Sequence, residues 1–312
     1  MSKLVKIYKG GAFIKEENVS TEIVKKVAKS AKKTITFDLD ETLGSFSDLY
    51  ILWCTLEPIM PDTRHDIFRE LLDMFPEFLR YGIFNILDFL RHKKETGECC
   101  YVLLYTNNQC QDGWAEMIVE YLTDRLGYPL FDKIICAYKK PLPILASFAE
   151  EIESFQGKED DGVECKKPPL RTSFIRTGIR TTHSKTYNDL IRCTMLSRGS
   201  EMCFVDNTYH DKMAHDRVYY IQPKSYQHAL KTTDIISRFI SKWTMFPLPT
   251  MFEATLYSMF SGRRRVSPNI ETDLLVSQKI MYHLKEYFLL SIKAPKTRKV
   301  SFSFGRFTRK KV

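Results

Sequence analysis

The segment Asp38-Leu39-Asp40-Glu41-Thr42 sets two carboxylates two positions apart, directly after the apolar, β-branched run Thr34-Ile35-Thr36-Phe37. Phosphate-ester cleavage can use two such carboxylates in different roles. One, unprotonated, attacks phosphorus once a cation offsets the charge on both it and the phosphate. The other protonates the leaving oxygen and then activates water against the phosphoenzyme. Asp38 is the expected nucleophile and Asp40 the expected general acid and base. Paired acids also occur in solvated turns, so the weight of this reading rests on what the rest of the chain adds.

Three features add to it. The run Tyr101-Val102-Leu103-Leu104-Tyr105 ends in Thr106, Asn107 and Asn108, which offer a hydroxyl and amides to a phosphate. A later run, Met202-Cys203-Phe204-Val205, ends in Asp206 and Asn207. Hard oxygen donors of this kind suit Mg²⁺, which keeps several waters and is held by one or two carboxylates plus substrate phosphate; Asp206 would serve equally as a helix N-cap. Lys185, in HSKTYNDLIR ahead of a helical segment, offers positive charge to the nucleophile and the phosphate, in competition with Lys139, Lys140, Lys166 and Lys167.

Together these segments resemble the haloacid dehalogenase superfamily, whose four motifs are matched here by DLDET, the strand ending in Thr106, Lys185, and VDN at Asp206-Asn207. Within it the chain is most similar to phosphatases of the NLI-interacting-factor type, which include those acting on the RNA polymerase II carboxy-terminal domain. DLDETLG, Arg80-Tyr81-Gly82 and VDNT carry that likeness, which extends over residues 33–224. The resemblance implies Mg²⁺ held by Asp38, Asp206 and the backbone carbonyl of Asp40, joined by Asn207. It implies that Thr42 shapes the first loop and that Thr106, with Asn107, and Lys185 bind phosphate. The chain departs from the family at Tyr81 and Tyr209, where proline is common, and in the longer spacers on either side of Lys185.

These residues need a scaffold that delivers strand ends to one edge. The expected fold is α/β: a three-layer arrangement around a mainly parallel five-stranded sheet, with strands at 34–37, 101–105, 133–137, 202–205 and 218–221. An insertion at 45–80 is expected to hold a hairpin in SFSDLYILWCTLE and a helix at 67–75. Helices are expected at 22–31, 83–94, 114–126 and 144–155. The expected organisation is a basic segment at 1–33, a phosphatase domain at 34–225 with a polar loop at 156–170, a helical extension at 226–290 with helices at 228–243 and 272–290, and a basic tail at 291–312.

The 312 residues are 44% hydrophobic and 27% charged, the composition of an ordinary globular chain. A net charge of +9 favours an anionic partner: a phosphorylated peptide, a nucleic acid or a membrane surface. The eight cysteines lack zinc-type spacing and read as reduced, mostly buried thiols. With no apolar amino-terminal core and no run of about 18 apolar residues, an intracellular protein without a membrane span, cytoplasmic or nuclear, is expected. The expected activity is Mg²⁺-dependent hydrolysis of phosphoserine or phosphothreonine in protein. One alternative is a phosphatase of nucleic-acid ends or nucleotides, with Phe302, Phe304 and Phe307 stacking on bases from within the basic tail. Another is a non-catalytic module on a phosphatase scaffold, docking an acidic partner.

Overall fold

The structure, a computed structural model of the chain, describes residues 4–14, 33–57, 64–110, 113–137, 175–176, 180–197, 200–242, 252–261 and 269–290. The expected helices at 22–31 and 144–155, the polar loop, the basic tail, and Lys139, Lys140, Lys166 and Lys167 lie outside these residues.

All five residues of Lys33–Phe37 are buried, as befits a strand covered on both faces. The strands are β1 (Val5–Lys9), β2 (Ala12–Ile14), β3 (Lys33–Phe37), β4 (Cys99–Tyr105), β5 (Lys133–Ile135), the two-residue β6 (Ile175–Arg176), β7 (Glu201–Val205) and β8 (Val218–Pro223). They form one sheet in the order β2-β1-β8-β7-β3-β4-β5-β6. From β8 to β6 every neighbouring pair is parallel, and β1 and β2 add antiparallel at the β8 edge. The fold is therefore α/β with a mostly parallel mixed sheet. The five expected strands are all present, but the sheet is wider than five. Val5–Lys9 hydrogen-bonds along β8, so part of the basic amino-terminal segment belongs to the sheet, and β6 extends the opposite edge.

The helices are α1 (Ser47–Leu56), α2 (Arg64–Met74), α3 (Ile83–Glu95), α4 (Trp114–Leu126), α5 (Tyr187–Thr194), α6 (Thr232–Lys242), α7 (Phe252–Phe260) and α8 (Ile270–Leu289). The expected hairpin in SFSDLYILWCTLE is instead α1. Leu49, Leu52, Trp53 and Leu56 recur at i, i+3, i+4 and i+7 and all are buried, so the helical period outweighs the β-leaning aromatic content. In the carboxyl-terminal part, α8 buries Val276, Ile280, Leu284 and Tyr287 in the same core as β3, at about 1.5–3 kcal/mol per large apolar side chain. The Tyr287 hydroxyl donates to the Glu201 carbonyl at 2.9 Å, tying α8 to the start of β7.

Cys54, Cys99, Cys110, Cys136, Cys193 and Cys203 are free thiols. Cys100 is disulfide-bonded, which corrects the expectation that the cysteines are reduced. Spacing in the chain does not report which Cα atoms approach each other. Among the described residues, no helix is long and apolar enough to cross a membrane.

Candidate active site

The strand pairing dictates which residues meet. Phe37 is level with Val205 on one side and Leu104 on the other. One step beyond that row stand Asp38 and Asp206, and two steps beyond Leu104 stands Thr106. All three emerge at the carboxyl edge of the parallel strands, where open α/β sheets bind ligands.

The loop after β3 is held in an unusual conformation. Glu41 has φ 58°, in the left-handed region that L-residues seldom occupy. The Glu41 amide donates to the Gly44 carbonyl at 2.6 Å, and the buried Arg80 side chain fastens the turn from below. Arg80 Nε donates to the Thr42 carbonyl and Nη2 to the Glu41 carbonyl, both at 2.6 Å, with the Lys224 carbonyl at 3.0 Å. At Gly44 an added Cβ would lie 2.4 Å from Phe46 Cζ and 2.5 Å from the Phe78 carbonyl oxygen, so no side chain fits there.

Lys185 directly precedes Thr186, the N-cap of α5, whose hydroxyl accepts the Asp189 amide at 3.1 Å and fixes the entry into that helix. Its Nζ, buried, donates to Asp38 Oδ1 and, at 2.7 Å, to Asp206 Oδ2. Asp206 Oδ1 accepts the Thr208 amide at 2.8 Å in a local turn, and His210 Nε2 lies 3.3 Å from Oδ2. Thr42 Oγ1 lies 3.2 Å from Asp38 Oδ2 and 2.9 Å from Asn207 Oδ1, and accepts the Asn207 amide at 3.1 Å. Asn207 Nδ2 donates to Ser225 Oγ at 3.0 Å. Asp38, Lys185, Asp206, Asn207, Thr208 and His210 line a cleft of about 380 Å³ together with Asp40, Glu41, Thr106, Asn107 and Asn108.

Asp38, Asp40, Thr106, Asn107, Lys185, Asp206 and Asn207 thus share one cleft, whereas Thr42 is buried behind its lining, against Asp38 and Asn207. Two participants, Arg180 and His210, lacked a clear sequence signal, and Asn108, read from the sequence as an amide offered to a phosphate, is turned to Asp40 instead. Arg180, buried, donates to the Thr106 carbonyl at 3.1 Å, to Asn107 Oδ1 at 2.6 Å and to the His183 carbonyl at 3.0 Å, joining the β4 loop to the Lys185 loop. Asn108 donates to Asp40 Oδ2 at 2.6 Å. His210 stands four residues past Asp206, a spacing that has meaning only once the loop conformation is known.

Burial, opposed by the Lys185 ammonium and reinforced by Asp206, pushes the Asp38 carboxyl up to about 6. Burial likewise raises Asp40, against the hydrogen bond from Asn108. A raised carboxyl suits a group that must carry a proton to a leaving oxygen. Burial acts in the same direction on Asp206, but the His210 hydrogen bond and the Lys185 charge outweigh it and hold Asp206 below its ordinary value.

Four carboxylates line the cleft, Asp38, Asp40, Glu41 and Asp206, against one lysine and one histidine. That shortage of positive charge and the oxygen character of the donors fit a divalent cation such as Mg²⁺. Among the described residues, no three His, Cys, Asp or Glu side chains converge to hold a metal unaided. A cation here would rely on Asp38 and Asp206 with water and substrate oxygens, which is a common way of holding Mg²⁺. Compared with protein-family models, curated proteins and solved structures, the chain matches none, so the functional reading of the cleft rests on its own residues and geometry.

Proposed function

We propose that the protein is a phosphohydrolase of the haloacid dehalogenase type, similar to the NLI-interacting-factor phosphatases, that works through an aspartyl-phosphate. The observation that carries the reading is the meeting of Asp38, Asp40, Thr106, Lys185 and Asp206, from four separate stretches of chain, in one cleft at the sheet edge. An oxygen of Asp38 attacks phosphorus in line, and the bond from phosphorus to the leaving oxygen breaks with its electron pair going to that oxygen. Asp40 hands its proton to the departing alkoxide. The Lys185 ammonium and the Thr106 hydroxyl offset the charge gathering on the phosphoryl oxygens. In the second half-reaction water attacks the same phosphorus, Asp40 takes its proton, and cleavage of the bond to Asp38 releases inorganic phosphate and restores the carboxylate. When bound, Mg²⁺ held by Asp38 and Asp206 supplies charge neutralisation for the nucleophile and the phosphate.

The charge of the cleft supports a monoester on a protein side chain over a polyanionic nucleic-acid end. Four carboxylates at the reacting edge repel further phosphates flanking the one being cleaved. Phosphoserine or phosphothreonine in an intracellular protein is the substrate class we propose. Hydrolysis of an aryl phosphate by the purified protein, with and without Mg²⁺ and with Asp38→Asn, tests the mechanism. Magnesium-dependent turnover that disappears in the variant is the expected result. Turnover that survives Asp38→Asn removes Asp38 as nucleophile.

A further inference from the structure

The two asparagines after Thr106 are turned to different tasks. Asn107 Oδ1 accepts from Arg180 at 2.6 Å, whereas the Asn108 side chain reaches across the cleft to Asp40, 68 residues away in sequence. Asn108 is held on three sides. Its amide donates to Thr106 Oγ1 at 2.9 Å, its Oδ1 accepts the Cys110 amide at 2.8 Å, and its Nδ2 donates to Asp40 Oδ2 at 2.6 Å.

The orientation of that carboxamide follows from its partners. The backbone N–H of Cys110 can only donate, so the atom facing it is the oxygen, and the NH₂ group is left facing Asp40. A donor directed at Oδ2 engages a lone pair of that oxygen. The transferable proton of the Asp40 carboxyl then belongs on Oδ1, which takes no hydrogen bond from any described residue.

We infer that Asn108 is the positioning residue of the general acid and base: its carboxamide anchors one oxygen of Asp40 so that the other faces the leaving group. The inference rests on the phosphohydrolase reading and adds to it a residue that touches neither phosphorus nor metal. The bond from Asn108 N to Thr106 Oγ1 also uses an acceptor site of that hydroxyl and leaves its proton to donate to a phosphoryl oxygen. One short turn therefore presents the phosphate-binding hydroxyl and orients the proton donor together.

A leaving group that needs a proton separates this role from a merely structural one. With Mg²⁺ present, kcat/KM, which reports formation of the phosphoenzyme, is measured for a phosphoserine peptide and for 2,4-dinitrophenyl phosphate, whose leaving group departs without a proton. The proteins compared are wild type, Asn108→Ala and Asn108→Asp. Asn108→Asp keeps an oxygen for the Cys110 amide and removes the NH₂ donor, so it serves if Asn108→Ala loosens the turn; thermal unfolding checks both. The charge it adds burdens both substrates alike and cancels in their ratio. The expected result is a loss of about 10²-fold on the phosphopeptide and at most about threefold more than the uniform burden on the dinitrophenyl ester. Equal losses on the two substrates, or no loss, in folded variants overturn the role of Asn108 and leave the phosphohydrolase reading standing. A wild type that turns over neither substrate overturns that reading and this inference with it.

Discussion

Lys185 places its ammonium between Asp38 and Asp206, donating to Oδ1 of the first and, at 2.7 Å, to Oδ2 of the second, although 147 and 21 residues separate it from them. One positive charge thus serves two buried carboxylates that are brought side by side by the pairing of β3 with β7. The two carboxylates share one ammonium, a shortage of positive charge that favours a cation beside them.

That imbalance predicts opposite effects of two substitutions on stability. In Mg²⁺-free buffer, Lys185→Met leaves two buried carboxylates facing each other and is expected to cost roughly 3 kcal/mol or more. Asp38→Asn keeps the shape and removes one charge, and is expected to unfold at the same or a higher temperature than wild type while losing turnover. Because burial raises Asp38 to about 6, the folded state binds its proton more tightly than the unfolded chain, whose carboxyl titrates near 3.8. Wild type should accordingly gain on Asp38→Asn as pH falls through 6 toward 3.8. Thermal unfolding across that range reads both effects, and parallel losses in the two variants would contradict the charge argument.

Arg180 ties Thr106 and Asn107 to the loop that carries Lys185. Arg180→Ala is expected to lower kcat/KM by about 10²-fold, the cost of displacing positioned groups by an ångström or so. Arg180→Lys reaches fewer of these acceptors and should fall between Ala and wild type. Steady-state kinetics on one aryl phosphate decides it, and a fully active alanine variant would show that the β4 loop holds its shape unaided.

Gly44→Ala tests the packing beneath the first loop. The new Cβ meets the Phe46 ring and the Phe78 carbonyl well inside van der Waals contact, so a destabilisation of about 3 kcal/mol is expected. Urea denaturation of the variant measures it, and a change within about 0.5 kcal/mol would mean that the loop relaxes freely.

Glu286 reports on the seam between β1, β8 and α8. A hydrogen bond from His283, then Lys9 and the Tyr219 hydroxyl, outweigh burial and push its carboxyl down to about 2. Lys9 Nζ and Tyr219 OH each lie 2.6 Å from it. A depressed carboxyl stabilises the fold fully above its unfolded value near 4.5, and the contribution is lost as pH falls through 2. Since the pair is partly solvated, roughly 1 kcal/mol is at stake. Unfolding midpoints of wild type and Glu286→Gln should therefore converge between pH 4.5 and 2; a gap that stays constant would remove the ionic part of the seam.

Much of the fold and of the site is legible in local sequence. Apolar runs that stop abruptly at Asp38, Thr106 and Asp206 mark strand ends because the pattern and its interruption are features of neighbouring residues. The helix expected at 114–126 is α4 to the residue, with Gly113 and Gly127 bounding it. Helix α1 is legible in the spacing of Leu49, Leu52, Trp53 and Leu56, which keep the helical period, although the aromatic content of the same stretch leans toward a strand. The amino-terminal strand was not legible: Val5–Lys9 becomes β1 only because β8 offers it an open edge.

By itself, then, the sequence determined the chemical types that reach the sheet edge, because strand, turn and helix propensities act over a few residues. Tertiary structure decided which of them touch. The lysine between Asp38 and Asp206, the turning of Asn107 to Arg180 and of Asn108 to Asp40, and the clamp of Arg80 on the Glu41 turn join residues 21 to 147 positions apart. Such contacts depend on strand pairing and on a carboxamide or guanidinium satisfying all its partners at once, conditions that no local pattern encodes.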